Sequence, residues 1–132
     1  MKKTVISIIV VLSTITAFAQ AQTNAISIVS PDSAIVYKYR LYPTESSWNF
    51  IKLNTRNGQM WQVQWDTKDR NQSEAPISLT ARVSTEEEVN GRFIIYPTEY
   101  MYYFVLLDQI DGRVWQVQWG TKGKDMMVVP IE

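Results

Sequence analysis

The feature that most constrains this chain is a repeat at a fixed offset of 54 positions, aligned without a gap. WQVQW stands at Trp61–Trp65 and again at Trp115–Trp119. Tyr42-Pro43-Thr44-Glu45 falls on Tyr96-Pro97-Thr98-Glu99, Phe50 on Phe104, Leu53 on Leu107 and Gly58 on Gly112. From 42 to 68, 14 of 27 positions equal their counterparts. Identity that dense marks a duplicated structural unit. Units 25–78 and 79–132 then make up nearly all of a single domain, 22–132.

Within each unit the pattern is that of strands. YKYRLY (37–42) and GRFIIY (91–96) are rich in aromatic and branched residues and stop at Pro43 and Pro97, which cannot donate to a ladder. WNFIKLN (48–54) and YYFVLLD (102–108) are apolar on both faces, as a doubly covered strand is. Asn57-Gly58 and Asp111-Gly112 supply the left-handed residue of a short hairpin. The third strands, MWQVQW and VWQVQW, alternate Trp-Val-Trp with Gln-Gln, the period of a half-buried strand. APISLTARV (75–83) reads as a fourth strand across the join, whose halves match VVPIE at one end of the chain and AISIVS (25–30) near the other. The expected fold is all-β: two pseudo-symmetric four-stranded antiparallel meanders closing as a small β-barrel or barrel-like sandwich. VSTEEEVNG (83–91), DTKDRNQSE (66–74) and GTKGKD (120–125) read as solvated loops, with a Ser84–Glu87 capping pair as the lesser alternative.

Residues 1–21 have the order of a secretory signal peptide: Lys2 and Lys3, an apolar run from Val5 to Leu12, and small residues that favour cleavage after Ala19 or Ala21. The product is expected to be exported, periplasmic or secreted. Without Lys2 and Lys3 the chain has 11 basic and 13 acidic side chains, a balance that argues against nucleic acid or an anionic membrane surface as partner. Pro76 and Pro130 fall inside strands that an outer-membrane barrel would need unbroken, so membrane insertion is not expected.

The sequence has no histidine and no cysteine. The usual base near neutral pH is missing, as are Ser-His-Asp triads, Cys-His pairs, disulfides and the common zinc sites. Carboxylates alone could do acid–base work. Glu45 and Glu99 follow the prolines in surface turns, and Asp108 and Asp111 have Asn54 and Asn57 as repeat counterparts, so turn chemistry explains them without catalysis. No enzyme, cofactor or metal is expected.

The tryptophans carry the main question. Burying one removes ~200 Å² from water, worth several kcal/mol at ~25 cal/mol per Å². A cysteine-free domain of this size is therefore expected to place Trp61, Trp65, Trp115 and Trp119 in its core, with Gln62, Gln64, Gln116 and Gln118 facing water. Those glutamines, with Tyr100, Tyr102 and Tyr103 after Pro97, form the expected contact surface. The motif Y-P-T-E-x5-F-x2-L-x4-G-x2-W-Q-V-Q-W resembles a repeat of small, uncharacterised exported proteins from Gram-negative gut anaerobes, which implies a location, the periplasm or outside the cell, more than an activity. The expected role is a binding module for a protein or glycan at the cell envelope. The alternative is a structural protein that forms a homo-oligomer through its duplicated sheets, including a lectin-like propeller of two-blade chains.

Overall fold

The structure, a computed structural model, describes residues 35–68, 70–120 and 126–132. The expected signal segment and cleavage site, AISIVS (25–30) and most of the 120–125 loop lie outside the described residues. Eight strands follow in chain order: β1 (Tyr39–Pro43), β2 (Asn49–Asn54), β3 (Met60–Gln64), β4 (Ser73–Ser78), β5 (Phe93–Pro97), β6 (Tyr103–Asp108), β7 (Val114–Gln118) and β8 (Met127–Ile131). They pair as two antiparallel meanders, in spatial order β1-β2-β3-β4 and β5-β6-β7-β8. Among the described residues no strand pairing joins the two sheets into a closed barrel.

Corresponding elements sit in corresponding registers. Phe50 opposes Val63 as Phe104 opposes Val117, and Trp61 opposes Pro76 as Trp115 opposes Pro130. Both prolines lie on edge strands, where a missing N–H costs no ladder bond. The hairpins match too. The Asn54 and Asp108 side chains accept the N–H two residues on (Arg56, Ile110), and Asn57 and Asp111 accept those of Gln59 and Arg113. Asn and Asp close the turn alike because each offers it the same side-chain oxygen. Gly58 and Gly112 close the turns at φ 81° and 80°, a conformation that penalises a Cβ.

The threonine of each YPTE organises the next turn. The Thr44 hydroxyl accepts the Ser46 N–H and lies 2.8 Å from the Asn49 carbonyl; the Thr98 hydroxyl accepts the Tyr100 N–H and lies 2.9 Å from the Tyr103 carbonyl.

The segment between the sheets differs from expectation. The fourth strand stops at Ser78, not Val83. Residues 79–82 close over the first hairpin instead: the Arg82 N–H donates to the Asn57 carbonyl and the Gln59 amide to the Leu79 carbonyl. Thr85–Glu87 form a short 3₁₀ turn rather than a plain loop, and the Glu87 carboxylate reaches back to the Ser84 N–H and hydroxyl.

The sheets stack face on face around one core. The second sheet contributes the face carrying Phe93, Ile95, Phe104, Leu106, Trp115 and Val117. The first contributes Ile51, Leu53, Met60 and Ile77, the face that also carries Gln62. The Phe93 N–H donates to the Thr55 carbonyl across the join at 2.8 Å.

Candidate functional site

Directly opposed residues in an antiparallel ladder share a face. In β7 the alternation puts Trp115 and Val117 inside, and Trp119, just past the strand end, is fully buried at 0 % exposure. In β3 the same letters turn the other way. Gln62, opposite Ile51, is 5 % exposed, Trp61 is half-buried and Trp65 is 41 % exposed. The core expectation therefore fails for Trp65 and holds only in part for Trp61, and the outward expectation fails for Gln62. The reason is stacking. When two copies of one unit are laid face on face in the same sense, the upper face of one meets the lower face of the other.

Gln62 is accommodated by its neighbour: its Nε2 donates to Asn49 Oδ1 at 2.8 Å, and Asn49 Nδ2 donates to the Ser46 hydroxyl at 2.9 Å. Its Oε1 is buried with no partner among the described residues, which raises the cost of the position. Gln64, Gln116 and Gln118 are half-buried.

Each unit keeps an aromatic pair beside the end of its third strand. Trp48 and Trp65 have ring centroids 5.0 Å apart at 46°, and Tyr102 and Trp119 5.1 Å apart at 56°. The indole N–H of Trp65 donates to the Ser47 carbonyl, and that of Trp119 to the Met101 carbonyl. Trp48 and Trp65 are exposed, whereas Trp119 is covered. Gln64, Asp66 and Asn71 line a shallow pocket of about 260 Å³ with Trp48 and Trp65, and the Asn71 amide donates to Asp66 Oδ2 at 2.9 Å. This pairing of indole faces with amide and carboxylate groups was not expected from the letters, because Trp65 read as core.

A second, larger groove of about 610 Å³ lies on the outer face of the second sheet. Tyr100, Tyr103 and Gln116 line it with Val105 and Ile131, so three of the seven expected contact residues come together. Tyr100 and Tyr103 meet edge to face at 6.4 Å. Tyr102 points to the other face, onto Trp119, and Gln62 is sealed inside.

The aspartates weighed for acid–base work are otherwise engaged. Asp108 is fully buried, and Arg92 Nε lies 2.9 and 3.0 Å from its two carboxylate oxygens. Burial alone would raise this carboxyl; hydrogen bonds from the Arg92 guanidinium and from the Ile110 and Asp111 N–H groups outweigh it and hold the group below the usual carboxylate range. Arg92 also donates to the Glu87 carbonyl and reaches Asp111. The pair pins the second hairpin to the 3₁₀ turn; its counterparts in the first unit are Lys38 and Asn54.

Among the described residues, no group of three or more His, Cys, Asp or Glu side chains is placed to hold a metal ion, and no helix is long and apolar enough to cross a membrane. No protein-family model, curated protein or solved structure matches the chain.

Proposed function

We propose that the chain is an exported, non-enzymatic binding module acting at the cell envelope, in the periplasm or outside the cell, on a protein or glycan partner and without a cofactor. Its two sheets work as an open, barrel-like sandwich rather than a closed barrel. The observation that supports this reading best is the uncovered Trp48–Trp65 pair beside Gln64, Asp66 and Asn71. An exposed pair of indole faces is apolar surface that could have been buried, and flanking amide and carboxylate groups suit the hydroxyls of a sugar ring or the backbone of a peptide.

The test is a titration of tryptophan fluorescence with soluble cell-wall glycans and envelope protein fragments. A saturable change that is lost in Trp65→Ala and kept in Tyr100→Ala supports the aromatic site. A response that is unchanged in Trp65→Ala removes it.

A second reading, a structural protein that assembles through its duplicated sheets, is favoured by a separate observation. Among the described residues each sheet has one covered face and one open face, and each open face carries an exposed apolar side chain, Leu41 on the first sheet and Ile131 on the second.

A further inference from the structure

The packing inside the molecule joins two different faces of one repeated unit. The Trp face of the second sheet lies on the Gln face of the first. Among the described residues, what remains open is the complementary pair: the Trp face of the first sheet and the Gln face of the second. We propose that a second copy of this chain occupies these faces, head to tail, so that the internal sheet-on-sheet contact recurs between chains and closes a ring. This rests on the second reading, assembly through the duplicated sheets, and it names the partner and the faces that meet.

The open faces carry the counterparts of the residues that form the internal contact. On the Trp side, Tyr39 and Leu41 stand where Phe93 and Ile95 do; Leu41 is 55 % exposed and Ile95 2 %. On the Gln side, Val105 and Ile131 stand where Ile51 and Ile77 do; Ile131 is 48 % exposed and Ile77 7 %. Apolar residues that are core in one half have apolar counterparts that are half-buried or exposed in the other: Leu53 answers to Leu107, Val117 to Val63, Ile51 to Val105 and Phe93 to Tyr39.

The hairpin tips give the same answer independently. At Gly58 an added Cβ would meet the Arg82 Cγ at 2.9 Å and the Phe93 ring at 3.3 Å, whereas at Gly112 no atom of the described residues lies within 4 Å. The first hairpin is roofed by the strand that begins the second unit, and among the described residues no strand roofs the second hairpin. In the proposed assembly Tyr39 of a following copy takes the place of Phe93, and its N–H faces the Gln109 carbonyl as that of Phe93 faces Thr55.

One departure sets the strength of the contact. Lys52 and Glu74 stand on the open Trp face where Leu106 and Val128 stand on the covered one. They form an ion pair with each other, and Lys52 lies over the Trp61 ring at 4.8 Å, so no unpaired charge enters the contact. The pair makes the intermolecular contact weaker than the internal one and keeps the free chain soluble.

A contact between unlike faces gives a ring when its rotation closes and an open filament when it does not. Four-stranded meanders stacked face on face close as propellers of roughly four to eight blades, which at two sheets per chain is roughly two to four copies.

The mature chain is examined by sedimentation and light scattering, alongside Leu41→Glu, which spoils the Trp face, and Ile131→Glu, which spoils the Gln face. The wild type is expected to be a discrete oligomer of two to four chains. Each variant alone is expected to be a monomer, and their mixture a one-to-one heterodimer through the two unspoiled faces. A wild type that stays monomeric at millimolar concentration overturns the proposal. So does an Ile131→Glu variant that keeps the wild-type oligomer, because that joins Trp face to Trp face. A monomer that still binds a glycan or protein fragment through Trp65 overturns the assembly and leaves the binding module standing; a monomer that binds nothing removes both.

Discussion

In β7 the indoles of Trp115 and Trp119 face the interior, while Gln116 and Gln118 lie half in water. In β3 Gln62 is inside and Trp65 is outside, although the five letters are the same. The difference between these strands shows that a residue's burial in a stacked repeat is set by which neighbour its sheet meets, not by its own side chain. Two copies of a unit with two usable faces can bury only one face each, and stacking in the same sense makes those faces unlike.

The largest consequence falls on the tryptophans. Trp119→Ala should cost ~3–5 kcal/mol, because it empties a fully buried site. Trp65→Ala, measured by chemical denaturation in the Ile131→Glu background to keep intermolecular contacts out, should cost under ~1 kcal/mol. Equal losses would erase the contrast between the units.

Next comes the buried ion pair that only the second unit has. Asp108→Ala strands the Arg92 guanidinium inside and should lower the melting temperature well beyond Asn54→Ala at the counterpart position. The Asp108 carboxyl is held below its unfolded value, so its contribution is complete above about pH 4 and disappears as the pH falls through the folded value. Wild type should therefore lose stability in acid more steeply than Asp108→Ala, which a pH series of melting temperatures reads directly.

The hairpin glycines give a smaller contrast. Both sit at positive φ, so Ala at either costs ~1–2 kcal/mol of backbone strain. Gly58→Ala should cost more than Gly112→Ala, since only the former pushes against Arg82 and Phe93. The glutamines give a further contrast. Gln62→Ala should cost ~1–3 kcal/mol by leaving Asn49 Oδ1 without its donor, and Gln116→Ala should stay within ~0.5 kcal/mol in the Ile131→Glu background.

Much of this architecture was legible in the letters. The offset of 54 exposed the duplication, the prolines and Asn-Gly or Asp-Gly pairs marked the strand ends, and composition, apolar runs and alternation placed three strands per unit within two residues of their observed bounds. The end of the fourth strand was not legible, because Leu79–Val83 continues the alternation of a strand while serving as a roof for the first hairpin. The facing of β3 escaped for a similar reason. Period-two alternation says that two faces differ and does not say which is covered. A signal was present, however: Lys52 and Glu74 replace Leu106 and Val128 on the Trp face of the first unit only. Two charges on one stripe of a duplicated sheet mark the copy whose stripe meets water. The Trp48–Trp65 site was missed with it, whereas the grouping of Tyr100, Tyr103 and Gln116 was reachable from the turn after Pro97 and the shared outer face.

The central claim is that the two WQVQW strands present opposite faces to one core. Hydroxyl-radical footprinting of the Ile131→Glu variant, read by mass spectrometry at each tryptophan, tests it most directly. Labelling of Trp65 several-fold faster than Trp119, with Trp61 faster than Trp115, is the predicted result; equal protection of Trp65 and Trp119 would contradict it.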